Sequence, residues 1–211
     1  MLHKETIDHN TWELLISLQR LSHLKGFWLA GGSSLALQIG HRKSDDIDLF
    51  SMEPFDNQEM LEFLEEEFQF HLDFSATNTL RGSINNIKVD ILAHKYPLVS
   101  KVVEEDGILL YSKEDIAAMK LNAIAGNGTR SKDFIDIYFL LKYFSLSQII
   151  GFYSSKYKLR NEMHVLKSLV YFNDVDLNDW PILVLEQDLT FGKVKKRITA
   201  HVKNYSNSEL F

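Results

Sequence analysis

Between residues 29 and 51 the chain reads LAGGSSLALQIGHRKSDDIDLFS, an order of segments that few folds accept. Residues 27–30 form a short aromatic and aliphatic run with strand character, and Gly31-Gly32 breaks it. Residues 33–39 are apolar enough for a short packed helix, which Gly40 stops. From 46 to 50, polar and apolar residues then alternate, the period of a strand. In that strand Asp46 and Asp48 share one side while Ile47 and Leu49 share the other. The aliphatic pair can face a core. That leaves two carboxylates on the open side, about 6–7 Å apart along the backbone at about 3.3 Å of rise per residue. Such a pair repels itself unless a positive charge lies between, and hard oxygen ligands at this spacing suit a divalent cation, Mg²⁺ or Mn²⁺.

The glycine turn points to the complementary half of a site. A strand that ends in Gly31-Gly32-Ser33-Ser34 and runs into a helix exposes backbone N–H groups at the helix start, and small residues let a phosphate approach them. The two serine hydroxyls add donors. A third carboxylate extends the pattern. In residues 87–92, IKVDIL, the side chains of Ile87, Val89 and Ile91 share one face, and Asp90 lies on the other with Lys88. If this strand pairs beside residues 46–50, Asp46, Asp48 and Asp90 form a metal-binding set, with Asp90 able to deprotonate an attacking hydroxyl. Taken singly, Gly-Gly is an ordinary turn and a strand aspartate an ordinary solvent-facing residue. Their joint order and phase suit metal-assisted phosphoryl or nucleotidyl transfer from a nucleoside triphosphate.

The remaining chain supplies a scaffold. Residues 6–24 have a helical leucine spacing with Thr6 or Asp8 as cap, 59–66 an acidic surface helix, 68–74 a strand-like alternation, and Asn85-Asn86 a hairpin turn. Beyond residue 111 strand signals stop and helices take over, at 112–125, 131–144 and at least twice more. The expected fold class is therefore α+β: a mixed sheet flanked by helices over residues 1–111, and a C-terminal helical bundle over 112–211 packed against it. No apolar run approaches the about 20 residues of a membrane span, and the N-terminus has no apolar signal core, so no membrane partner is expected. With no cysteine, disulfides and thiolate metal sites are excluded, which fits a cytoplasmic protein. A net charge of −6 argues against non-specific coating of nucleic acid, although Lys193, Lys195, Lys196, Arg197 and Lys203 form a local basic cluster. His41-Arg42-Lys43 is a basic loop just before Asp46, able to touch phosphate or nucleic acid but read first as a surface loop.

These residues resemble the DNA polymerase β-type nucleotidyltransferase superfamily. More narrowly, LAGGSSLALQIGHRKSDDIDLFS, VDILAH, EDIAAMKLNAI and SKDFIDIYFLL together are similar to the AbiEii/AbiGii toxin family of nucleotidyltransferases, over residues 29–141. The resemblance implies that Gly32 and Ser33 hold phosphate, that Asp46, Asp48 and Asp90 bind the metal ions, and that Lys120 contacts the nucleotide phosphates. It also implies that Lys132, Asp133 and Asp136 match a Lys-Asp-x-x-Asp motif near the nucleotide. Members are toxins of two-gene toxin–antitoxin systems acting in phage defence or abortive infection, and some add nucleotides to tRNA ends. The implied partners are thus an NTP, a tRNA acceptor and a cognate antitoxin protein. The alternative is a catalytically weak nucleotide- or RNA-binding partner protein of the same fold.

Two of these residues also stand out by position alone. Lys120 interrupts the apolar stripe made by Ile116 and Ile124 on the helix that begins near residue 112. Asp136 is the single polar residue between 134 and 141, and a carboxylate in a helix buried nearly all round is costly unless paired. Lys132, one turn before it, or Lys120 can supply that charge. A structural ion pair and a cleft-facing phosphate contact both remain open.

Overall fold

A computed structural model of the chain describes residues 1–158 and 162–208. Residues 159–161 and 209–211 of the expected helical region lie outside the described residues. Two compact units are present: Met1–Pro97 with Lys101–Tyr111, and Leu98–Ser100 with the chain from Ser112 onward.

The first unit is a mixed sheet with helices. In chain order it contains α1 (His9–Gln19), β1 (Trp28–Leu29), α2 (Gly31–Ile39), β2 (Ile47–Ser51), α3 (Asn57–Phe68), β3 (His71–Ala76), β4 (Thr79–Ile84), β5 (Ile87–Ala93), β6 (Val103–Glu105) and β7 (Ile108–Leu110). The strand order is β3-β4-β5-β2-β1-β7-β6. The β2–β5 and β1–β7 pairs are parallel, and the others are antiparallel. One face is aliphatic by register: Ile47 lies opposite Val89 and Leu49 opposite Ile91, and all four are sealed from solvent. Burial of each such side chain contributes about 1.5–3 kcal/mol. Asn85 and Asn86 both take left-handed backbone angles, φ +51° and +65°, which is the tight turn that fixes the β4–β5 register. The first helix is shorter than its leucine spacing suggests. Asp8 caps α1 by accepting from the Asn10 amide, and short 3-10 turns flank it at Lys4–Thr6 and Ser22–Leu24. The alternation over 68–74 crosses a boundary: Phe68 closes α3, and β3 starts only at His71.

The second unit is helical: α4 (Lys113–Asn127), α5 (Ser131–Leu140), α6 (Leu146–Tyr157), α7 (Met163–Leu169) and α8 (Phe191–Ser208). Ser112 caps α4 through the Asp115 amide, and Ser145 with Gln148 forms a capping box on α6. Every residue of α5 except Lys132 is buried, so its two aspartates need partners within the unit. Among the described residues no helix is long and apolar enough to cross a membrane.

Candidate active site

The site grows from the junction of β1, α2 and β2. The amide of Ala30 donates to the Asp48 carbonyl at 2.8 Å, which brings the start of α2 against β2. Gly31 follows with φ +64°, and a Cβ placed there would stand 2.0 Å from Asp48 Oδ2. Only glycine meets both demands, and the Asp48 carboxylate therefore rests on the helix-start turn itself. The next residue, Gly32, is equally constrained, because a Cβ would sit 2.3 Å from Arg42 Nη2. Ser33 donates its hydroxyl to the Asp46 carbonyl and can accept from Ser44 Oγ at 3.0 Å, so it holds the entry to β2 in place. Ser34 turns inward. Its hydroxyl, fully buried, donates to the Tyr111 carbonyl at 3.3 Å.

The parallel β2–β5 register sets Asp48 directly opposite Asp90, on the face away from Ile47, Leu49, Val89 and Ile91. Asp46, two residues before Asp48 and half-buried, stands near enough to Asp90 to act on its ionisation. Asp90 is 7% exposed. Its Oδ2 faces Arg81 Nε at 3.5 Å and Lys88 Nζ at 3.8 Å, while its Oδ1 is buried and has no hydrogen-bond partner. Burial pushes the Asp90 carboxyl above its ordinary proton affinity. Lys88 and Arg81 oppose that shift, and the negative charge of Asp46 adds to it. A buried carboxylate oxygen without a partner is costly and suits a cation. Among the described residues no three carboxylate or imidazole side chains converge closely enough to hold a metal ion as they stand. The donor set is nonetheless hard oxygen throughout, with the orphaned Asp90 Oδ1 as its strongest indication.

Arg42 is the residue the sequence undervalued. Of the basic loop 41–43 only Lys43 is exposed, whereas His41 and Arg42 are 0% and 3% exposed. The Arg42 guanidinium donates to the Lys43 carbonyl at 3.0 Å and lies over Gly32, beside the start of α2. A buried cation at a helix N-terminus adds to the positive end of the helix dipole there. The available sequence signal was the small residue at 32, which leaves room for a large neighbour.

In the second unit the structure joins Lys120, Asp133 and Asp136. The Lys120 ammonium donates to Asp133 Oδ1 at 2.6 Å and lies 2.7 Å from Asp136 Oδ2, with all three side chains at most 9% exposed. The cation that reaches Asp136 is thus Lys120 of α4, and Lys132 stands at the one α5 position that is not buried. A second buried pair was not foreseen. Lys156 and Asp115, both fully buried, meet at 2.8 Å, and Asp115 also accepts from Ser112 Oγ and from the amides of Val99 and Ser100.

A mixed sheet whose paired strand aspartates abut a Gly-Gly helix start is the framework of a nucleotidyltransferase. Solved structures share that fold. They include the antibiotic-resistance factor ANT(2'')-Ia (TM-score 0.54, 15% identity, 69% of this chain and 88% of that one). A putative nucleotidyltransferase from H. pylori also shares it (0.52, 18%, 94% and 96%), as does JHP933 from Helicobacter pylori (0.51, 16%, 96% and 96%). The chain belongs to the nucleotidyl transferase AbiEii toxin family, described as a type IV TA system, whose model matches residues 13–98 and 71–179. An uncharacterized protein of Aquifex aeolicus (strain VF5) is 32% identical over 168 residues, 77% of this chain and 81% of that protein.

Proposed function

We propose that the chain is a metal-dependent nucleotidyltransferase that moves an NMP from an NTP to an acceptor hydroxyl, as the toxin of a toxin–antitoxin pair. The proposed acceptor is an RNA, in particular a tRNA end. The observation that carries this reading is the contact of Asp48 with Gly31 while Asp90 lies opposite Asp48 on the next strand. One turn thereby offers N–H groups to a triphosphate beside the Asp48–Asp90 pair.

In this reading the Gly31-Gly32 turn and the Arg42 guanidinium bind and orient the phosphates. Ser33 keeps Asp46 in place through its backbone. Asp46, Asp48 and Asp90 would hold Mg²⁺ or Mn²⁺, which when bound supplies charge neutralisation at the phosphates. The acceptor hydroxyl attacks the α-phosphorus in line. A new ester bond to the α-phosphorus forms, the bond to the bridging oxygen breaks, and pyrophosphate leaves. Asp90, whose burial favours the protonated form, takes the hydroxyl proton. We assign the catalytic domain to residues 1–111 and treat the helical region from 112 as a second domain. Lys120, Asp133 and Asp136 are read as the strut that joins α4 to α5. A phosphate contact by Lys120 would require its ammonium to leave two carboxylates within hydrogen-bond distance.

The test is incubation with each α-labelled NTP, Mg²⁺ and total cellular RNA. Label is expected on RNA with the wild-type chain and none with Asp46→Asn or Asp48→Asn. Full transfer by a folded double variant refutes the assignment. Metal-dependent NTP binding without any transfer favours the rival binding role instead.

A further inference from the structure

The basic cluster near the C-terminus is not used by the site described above, and the structure divides it in two. Helix α8 carries five Lys and Arg residues and no Asp or Glu. Two of the five are committed elsewhere: Lys193 pairs with Asp188, and Arg197 donates to the Leu141 carbonyl and lies 4.8 Å over the Tyr138 ring. The other three, Lys195, Lys196 and Lys203, line a single open groove of about 620 Å³. Val170 and Phe172, just after α7, form its other side, and among the described residues no carboxylate lines it. Val194 and Ile198 are buried on the opposite side of α8, so the helix is anchored by one stripe and presents lysines on another.

The groove is built rather than incidental. The Lys195 ammonium lies 6.0 Å from the Phe172 ring centroid and 5.4 Å from the Phe191 ring centroid, so aromatic faces position this charge at the groove, and the residue as a whole is exposed. Lys196 and Lys203 are two turns apart on one face. That is about 10 Å of helix, enough to span about three phosphates at roughly 3.4 Å per phosphate along one strand. A cationic, concave surface, without a carboxylate among its described lining residues, in a chain of net charge −6 selects a polyanion.

We propose that this α7–α8 groove binds the phosphate backbone of the RNA acceptor, with Lys195, Lys196 and Lys203 as the phosphate contacts and Phe172 as an apolar floor. The RNA class rests on the proposed transferase reading, while the polyanion preference rests on the groove alone. Contacts of this kind are sequence-independent and make affinity fall with salt.

The test uses the full chain carrying Asp48→Asn, so that binding is read without turnover, with a labelled RNA hairpin titrated across a range of salt. Replacing all three lysines, K195Q/K196Q/K203Q, is expected to weaken binding. It should also lower the slope of log affinity against log salt by about 2–3, at roughly 0.9 per lost phosphate contact. Lys193→Gln, which touches Asp188, is expected to change neither. An unchanged slope in the triple variant, or no RNA binding by the parent, overturns the proposal. So does groove-dependent binding of poly-glutamate without RNA binding, which would indicate an acidic protein partner. Label transfer to RNA with groove-independent binding removes the groove alone. Groove-dependent binding with no transfer by the wild-type chain removes the catalytic reading alone.

Discussion

Gly31 and Asp48 touch so closely that the smallest side chain at 31 would collide with the Asp48 carboxylate, at 2.0 Å from Oδ2. The helix start and the strand aspartate are therefore one structural object. Whatever binds the turn also meets the carboxylate.

Gly31→Ala tests that coupling. The substituted residue must hold φ +64°, a cost of about 1–2 kcal/mol for a residue with a Cβ, and it must also displace Asp48. The expected outcome is loss of label transfer and a drop of a few degrees in Tm. Gly126→Ala is the control, since a Cβ there meets nothing within 4 Å and its transfer activity should be that of the wild type.

Asp90 holds a charge where burial opposes it, with one oxygen unpartnered. In EDTA at neutral pH, Asp90→Asn is expected to be at least as stable as the wild type, because the buried charge is gone. With Mg²⁺ and NTP the wild type should gain stability by mass action, about 2.7 kcal/mol at a hundredfold excess over Kd. The variant should gain little of this. Thermal melts of both proteins, with and without ligands, supply the comparison. A variant that is markedly less stable in EDTA would mean that Arg81 and Lys88 already satisfy the carboxylate.

Lys120→Met leaves Asp133 and Asp136 buried without their cation. Removing one member of a buried ion pair costs about 3–5 kcal/mol, so a large fall in denaturant midpoint is expected whether or not NTP is present. Lys132→Gln, at the unburied α5 position, should shift stability by no more than about 0.5 kcal/mol. A Lys120→Met protein of wild-type stability that fails only in NTP binding would return Lys120 to the phosphate-contacting role.

Arg42→Lys keeps a charge but loses the planar fork over Gly32. The expected effect is a rise of about tenfold in apparent KM for NTP, worth about 1.4 kcal/mol, with kcat less affected. Steady-state kinetics at saturating acceptor would show it, and an unchanged KM would limit Arg42 to a packing role.

The sequence showed most plainly what its period encodes. Strand phase put Ile47, Leu49, Val89 and Ile91 on one face and Asp48 and Asp90 on the other, because side-chain alternation is a local property. The Asn85-Asn86 turn was legible for the same reason, since its left-handed angles suit asparagine. The small β6–β7 hairpin was missed although Asp106-Gly107 marks its turn, because each strand has only three residues and shows little periodicity. Lys156 and Asp115 lie 41 positions apart, and nothing local announces their meeting. Arg42 reads as a loop cation until the space over Gly32 is known.

The most direct measurement is an anomalous difference map from a crystal soaked with Mn²⁺ and a non-hydrolysable NTP analogue. A manganese peak bounded by Asp46, Asp48 and Asp90, with the triphosphate seated on Gly31-Gly32, is the expected result. Manganese and triphosphate bound elsewhere on the chain, with those three carboxylates unengaged, would contradict it.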